Sequence, residues 1–203
     1  MGKEKARIAV FVSGGGTNLQ ALIDAEKSGK LCHGTIALVV SNVSDAYALR
    51  RAGDNGIPTE LALKKACGGQ AGMEKRLLEL IERYSIDMIV LAGYLNILSE
   101  DFTARFPERI LNVHPSLIPA FCGEGFYGLR VHEAALRCGV KLTGATVHFV
   151  NEVPDGGEII AQRAVRIYPG DTPERLQKRV MRQAEWKLLP AAVEMVSKEI
   201  VNG

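Results

Sequence analysis

Three short segments of the sequence carry groups that can do chemistry. Asn112-Val113-His114-Pro115 sets an amide and an imidazole two residues apart. On an extended strand that spacing aims both side chains at one face. An amide N–H₂ can donate to a carbonyl oxygen as it gains negative charge, and losing one such donor costs roughly 2.7–4 kcal/mol of barrier. An imidazole can donate too, and it can move a proton near neutral pH. The pair therefore suits acyl transfer, although an isolated His is more often a satisfied core residue. Asn151-Glu152-Val153-Pro154-Asp155-Gly156-Gly157 is a sharp Pro/Gly loop that can present Asp155 to His114. Spacing alone does not bring these two together, because starting a turn is a common job for Asp.

Ser13-Gly14-Gly15-Gly16-Thr17-Asn18 is the third segment. It follows an apolar run and opens a helical pattern, so its backbone N–H groups and the helix dipole can cradle an anion. Asn18 is a candidate N-cap. The Gly-Lys-Ser/Thr ending of a Walker loop is absent. The third glycine of a dinucleotide fingerprint is missing, and the second strand ends in Ser41-Asn42 without a carboxylate. A monophosphate on a small substrate fits best, and a strand–helix turn with no ligand is the plainer alternative.

The elements that must position these groups alternate in period. Ala6–Val12, Thr35–Val40, Thr59–Leu63, Asp87–Ala92 and Arg109–Val113 read as strands. Asn18–Ser28, Ala46–Asn55 and Met73–Tyr84 read as the helices between them. Such alternation predicts a parallel sheet covered by helices on both faces, with ligands at the carboxyl ends of its strands. Residues 115 to 128, rich in Pro and Gly, read as a mobile loop over the site. Leu129–Arg137 reads as a helix, Gly144–Val150 and Glu158–Ile167 as antiparallel strands, and Pro173–Val196 as one long helix.

Composition narrows the function classes. The 203 residues suit one domain, and a net charge of +2 gives no electrostatic footprint for nucleic acid. No apolar run approaches a membrane span, and the amino terminus carries neither a signal-peptide nor a myristoylation pattern. The four cysteines, at 32, 67, 122 and 138, show no C-x-x-C pair and no zinc spacing. Reduced thiols and a cytoplasmic home are expected, and no metal.

Four segments taken in order resemble the glycinamide ribonucleotide formyltransferases, folate-dependent enzymes of purine biosynthesis. They are Ser13 to Gln20, Val90-Leu91-Ala92-Gly93-Tyr94, Asn112 to Pro119, and Gly144 to Val150 leading to Asp155-Gly156-Gly157. The resemblance implies an α/β fold: a Rossmann-like, mostly parallel twisted sheet with helices on both faces and an antiparallel carboxyl-terminal extension. It implies one formyltransferase domain over residues 1–203, with phosphate and ribonucleotide binding in the amino-terminal half. Folate binding and catalysis would fall in the other half.

The same resemblance makes Asn112, His114 and Asp155 the catalytic trio. Gly16, Thr17, Asn18 and Glu185 match residues that hold the ribonucleotide. Leu95, Asn96, Ile97 and Leu98, with Asn112, match those lining the folate pocket. The implied substrates are glycinamide ribonucleotide and 10-formyltetrahydrofolate, the latter a cosubstrate, in a monomer or weak homodimer with no nucleic-acid or membrane partner. Asp155 is expected to pair with His114 and raise its pKa. Asn96 stands where the family usually has Arg, and the loop from Phe121 to Gly128 is longer than in many members.

Three other readings are weighed. Methionyl-tRNA formyltransferase and formyltetrahydrofolate hydrolase normally carry an extra domain that this length leaves no room for. A non-catalytic phosphate-binding module would be expected to lose one of the trio.

Overall fold

The computed structural model describes residues 4–203. Met1–Lys3, on which part of the amino-terminal reading rests, lie outside the described residues. Seven strands form one sheet in the order β3-β2-β1-β4-β5-β6-β7. They are β1 (Ala6–Val12), β2 (Gly34–Ser41), β3 (Thr59–Leu61), β4 (Met88–Leu91), β5 (Ile110–His114), β6 (Leu142–Phe149) and β7 (Ile159–Arg166). The first five pair in parallel, and β6 and β7 add on antiparallel. The mostly parallel α/β sheet with an antiparallel extension is therefore as expected.

Alternation along β1 shows why both faces need cover. Ile8, Val10 and Val12 join one core with Leu19 and Leu22 of α1 (Thr17–Lys27) and Leu189, Val193 and Val196 of α7 (Trp186–Asn202). Ala9 and Phe11 point the other way, into Met73, Leu77 and Leu80 of α3 (Gln70–Arg83) and Phe102 of α4 (Glu100–Thr103). Each fully buried Leu, Val or Phe contributes roughly 1.5–3 kcal/mol, so both faces are strongly specified. A third, smaller core joins Ala145 and Val165 to Leu176 and Val180 of α6 (Pro173–Val180). Two further helices, α2 (Tyr47–Asp54) and α5 (Leu129–Cys138), complete the set.

Strand order reverses between β1 and β4, which opens a crevice at the carboxyl ends of those strands. The glycine turn follows β1, residues 95–98 follow β4, and Asn112 and His114 lie at the carboxyl-terminal part of β5, so topology gathers these there; Asp155 and Glu185 arrive from the segment after β6 and from the carboxyl-terminal helices.

Several boundaries differ from expectation. The carboxyl-terminal helix is not continuous: Met181–Glu185 forms a π-helical turn between α6 and α7. One extra residue in a turn barely disturbs a 3.6-residue pattern, so hydrophobic spacing cannot reveal it. Helix α4 was not expected; it is a single turn capped by Ser99, whose hydroxyl accepts from the Phe102 N–H. Helix α1 starts at Thr17 with Gly16 as N-cap, so Asn18 is not the cap.

Candidate active site

The glycine turn is shaped by its contacts to α2. Gly14 O accepts from Ala48 N at 3.0 Å, and Gly15 O accepts from Arg51 Nε at 2.8 Å. Carbonyl and N–H are antiparallel across a trans peptide, so the Gly15 and Gly16 amides point away from α2. Gly16 adopts φ 70°, and a Cβ there would sit 2.6 Å from Ala48 Cβ. Only glycine fits without strain. Ser13 braces the turn: its hydroxyl donates to Asn42 Oδ1 at 2.6 Å and accepts from Leu95 N at 2.8 Å. The end of β2, which lacks a carboxylate, thus anchors the turn.

Asn18 Nδ2 donates to Glu185 Oε2 at 2.7 Å, joining α1 to the π-helical turn. Both side chains are buried, and Asn18 Oδ1 has no hydrogen-bond partner among the described residues. Burial pushes the Glu185 carboxyl up to about 6, against the opposing pull of Asn18.

Asn112 and His114 emerge from β5 on one face, and β6 completes their surroundings. Antiparallel register sets Asn112 opposite His148 and His114 opposite Thr146. Asp155 reaches both histidines. Its Oδ2 lies 3.4 Å from His114 Nδ1, and its Oδ1 lies 3.6 Å from His148 Nε2. Gly123 N–H donates to Asp155 Oδ2 at 2.9 Å. Burial would push the Asp155 carboxyl up, but His148, His114 and the Gly123 amide outweigh it and hold the carboxyl below its ordinary value. The loop carrying Asp155 needs Gly157, where a Cβ would fall 1.8 Å from the Phe149 carbonyl oxygen.

The expected direction for His114 is overturned. Burial pushes its imidazole below 6.5, and the opposing effects of Asp155 and of the Phe121 carbonyl do not restore it. The ring is therefore mainly neutral at rest near neutral pH. Its Nε2–H donates to Phe121 O at 2.8 Å. The 115–128 segment is a loop over the site, as expected, and hydrogen bonds tie it down. Thr146 secures its start, donating to Ser116 O at 2.7 Å and accepting from Ile118 N at 3.1 Å.

Asn112 does not present a free N–H₂ to the cavity. Its Nδ2 donates to Asp155 Oδ1 at 3.3 Å and lies 3.2 Å from His148 Nε2. His148 Nδ1 in turn donates to Phe149 O at 2.7 Å.

One cavity of about 890 Å³ joins the glycine turn, Gly14 to Asn18, to Asn112, His114, Asp155 and Glu185. Leu95 and Ile97 line it and are 62% and 64% exposed. Asn96 and Leu98 do not line it. Asn96 Nδ2 contacts Met73 Sδ at 3.1 Å, and Leu98 is packed into the core beside α3.

A family model for formyl transferases matches residues 6–193. The chain belongs to the formyl transferase family. It is 40% identical to the chloroplastic phosphoribosylglycinamide formyltransferase of Arabidopsis thaliana, over 98% of this chain and 68% of that protein. With the phosphoribosylglycinamide formyltransferase of Haemophilus influenzae it shares 42% identity, over 93% of this chain and 85% of that one. Glycinamide ribonucleotide transformylase 1 from Symbiobacterium toebii superposes with a TM-score of 0.89 at 38% identity, covering 97% and 89% of the two chains. A formyltetrahydrofolate deformylase from Pseudomonas putida gives 0.81 at 28% identity, covering 94% of this chain and 64% of that one.

Two histidines of this formyl transferase join the site without a signal in residue type or spacing. His148 sits in a segment that carried the family resemblance, and strand pairing is what sets it beside Asn112. His132, on α5, lines the cavity with both ring nitrogens buried and unpartnered among the described residues. Burial, and to a lesser degree the nearby His114, push it down to about 4. Local sequence marks it only as a His on an apolar helix face.

Proposed function

We propose that this chain transfers the formyl group of 10-formyltetrahydrofolate to the amine of glycinamide ribonucleotide. The products are formylglycinamide ribonucleotide and tetrahydrofolate, and the step belongs to de novo purine synthesis. The observation that carries this reading is the convergence of Asn112, His114 and Asp155 in one cavity with the glycine turn. The phosphoribosylglycinamide formyltransferases and the transformylase named above support the same acceptor. At about 890 Å³ the cavity falls within the range of ordinary ligand sites.

In this reading the amides of Gly15 and Gly16, with the start of α1 at Thr17 and Asn18, hold the phosphate. Glu185 accepts from the ribose hydroxyls. Leu95 and Ile97 offer apolar surface to the folate, and Asn96 and Leu98 act through their backbone. The amine nitrogen attacks the formyl carbon, and the carbonyl pair moves onto oxygen. That oxygen takes the His114 N–H from Phe121 O, and Asn112 turns its amide to the same oxygen. The oxygen pair then re-forms the carbonyl as the bond to the folate nitrogen breaks. A proton passes from the attacking nitrogen to the leaving one. Water relays it, because the His114 Nε2 proton is held by the oxygen, while Asp155 beside Nδ1 keeps the ring oriented. The cytoplasm and a monomer or weak homodimer complete the proposal.

Hydrolysis of the same donor is the second reading, favoured only by the deformylase likeness, which is weaker in identity than the transformylase one. One experiment separates them. Purified protein is mixed with 10-formyltetrahydrofolate, with and without glycinamide ribonucleotide, and tetrahydrofolate release is followed. Release that depends on the ribonucleotide supports transfer. Release without it identifies a hydrolase, and no release despite binding of both ligands identifies a non-catalytic module.

A further inference from the structure

A second group of chemically capable side chains lies away from that cavity. Cys32 and His33 sit just before β2, and Glu194 projects from α7. Cys32 Sγ is 2.9 Å from Glu194 Oε1 and 3.3 Å from His33 Nδ1. His33 Nδ1 is 2.6 Å from the same Glu194 oxygen. The remaining Glu194 oxygen accepts from the His33 backbone N–H at 3.0 Å, which fixes the carboxylate's orientation. Glu194 also lines the end of a second cavity, of about 850 Å³, between α1 and α7.

We propose that Cys32, His33 and Glu194 form a zinc site. A thiolate, an imidazole and a carboxylate are the donor types zinc takes, and they disfavour magnesium and calcium, which take oxygen alone. Tetrahedral zinc with ordinary bond lengths separates such donors by about 3.3–3.6 Å. The three atoms already lie within 4.8 Å of one another, at separations of 2.6, 2.9 and 3.3 Å. Each pair must open by less than about 1 Å to admit the ion. Cys32 is exposed, so water can take the fourth position.

The proton balance is explicit. The Cys32 thiol gives its proton to solvent and binds as thiolate. His33 offers the Nδ1 lone pair while its N–H moves to Nε2. The ion replaces hydrogen bonds that now join the approach to β2 with α7. Zinc in this place is a clamp between two elements and takes no part in formyl transfer.

The test uses tag-free protein stripped with chelator and titrated with Co²⁺, then with Zn²⁺. The native chain is expected to develop the near-ultraviolet absorption of a cobalt–thiolate bond at one ion per chain, and zinc is expected to abolish it. Cys32→Ser should lose that band while keeping a hydrogen bond to Glu194, and Glu194→Gln should weaken cobalt binding. Cys122→Ser and Cys138→Ser should keep the band. Zinc should raise the melting temperature of the native chain and not that of Cys32→Ser. No band in the native chain, a band that survives Cys32→Ser, or one lost in Cys122→Ser would each overturn the site. None of these outcomes depends on enzymatic activity.

Discussion

Asn18 and Glu185, 167 residues apart in sequence, meet in a single buried hydrogen bond of 2.7 Å at the edge of the cavity. The bond orients a carboxyl that burial has pushed up to about 6. It also leaves the second Glu185 oxygen available to a ligand.

Replacing Glu185 with Ala should therefore weaken ribonucleotide binding about 10–100-fold, the usual worth of a hydrogen bond to a charged group, with folate affinity nearly unchanged. Calorimetric titration of each ligand checks this. Native ribonucleotide affinity should also decline as pH falls through about 6, and Glu185→Gln should lose that component. An Ala variant that binds at native strength removes Glu185 from the ribonucleotide site.

His114→Ala should lower turnover by about 10²–10⁴-fold with ribonucleotide affinity preserved. The subtler test is Asp155→Asn. Because Asp155 is one of the groups pulling the His114 pKa upward against burial, its neutralisation should move the acidic limb of kcat/KM to lower pH and reduce the plateau. An unchanged pH profile would show that the 3.4 Å contact has no bearing on the reaction.

Acid stability should depend on His132. Its pKa falls from 6.5 in the unfolded chain to about 4 in the folded one. The unfolded state therefore binds more protons between those values, and stability is lost as pH drops from 6.5 towards 4. The contribution is about 3 kcal/mol, at 1.36 kcal/mol per pH unit. Glu185 acts in the opposite sense: raised from 4.5 to about 6, it lowers stability as pH climbs through that interval. Urea denaturation of His132→Leu at pH 7 and pH 5 should show a smaller loss on acidification than the native chain. An equal loss would assign acid sensitivity elsewhere.

The glycine turn allows binding and folding to be separated. A methyl added at Gly15 meets open space, whereas Gly16 has φ 70° and Ala48 at 2.6 Å. Gly15→Ala should keep its melting temperature and bind ribonucleotide more weakly, since the methyl stands where a phosphate would close on the amides. Gly16→Ala should lose about 1 kcal/mol or more of stability, through strain at positive φ as well as contact. Thermal melts set beside affinities decide it. A Gly15→Ala chain with native affinity would argue against the phosphate cradle.

Legibility of the fold followed period and punctuation. β1, β2, β4 and β5 are plain as short apolar runs, and α1 and α3 as periodic segments between turn residues. The π-helical turn at Met181–Glu185 was hidden because it changes the twist without changing composition. At the site, Asn112 and His114 were visible because two residues on one strand face are neighbours by local geometry. Asp155 was tied to them only by family resemblance, and His148 entered through the β5–β6 register. Burial decided the protonation of His114, and no motif reports burial. The Cys32–His33–Glu194 group, spread over 162 residues, has no spacing that a metal motif could match.

The Phe121 carbonyl has a thermodynamic consequence. At rest it already holds the His114 N–H, at 2.8 Å. An incoming carbonyl oxygen that takes this N–H exchanges one neutral acceptor for another, and the contact adds almost nothing to ground-state affinity. As the incoming oxygen becomes an anion the exchange turns favourable, because bonds to charged groups contribute about 1.5–3 kcal/mol against 0.5–1.5 for neutral ones. The loop thus acts as an internal reference ligand. It subtracts the neutral part of the interaction and leaves the charged part to lower the barrier, which is where binding energy accelerates a reaction rather than merely retaining the reactant.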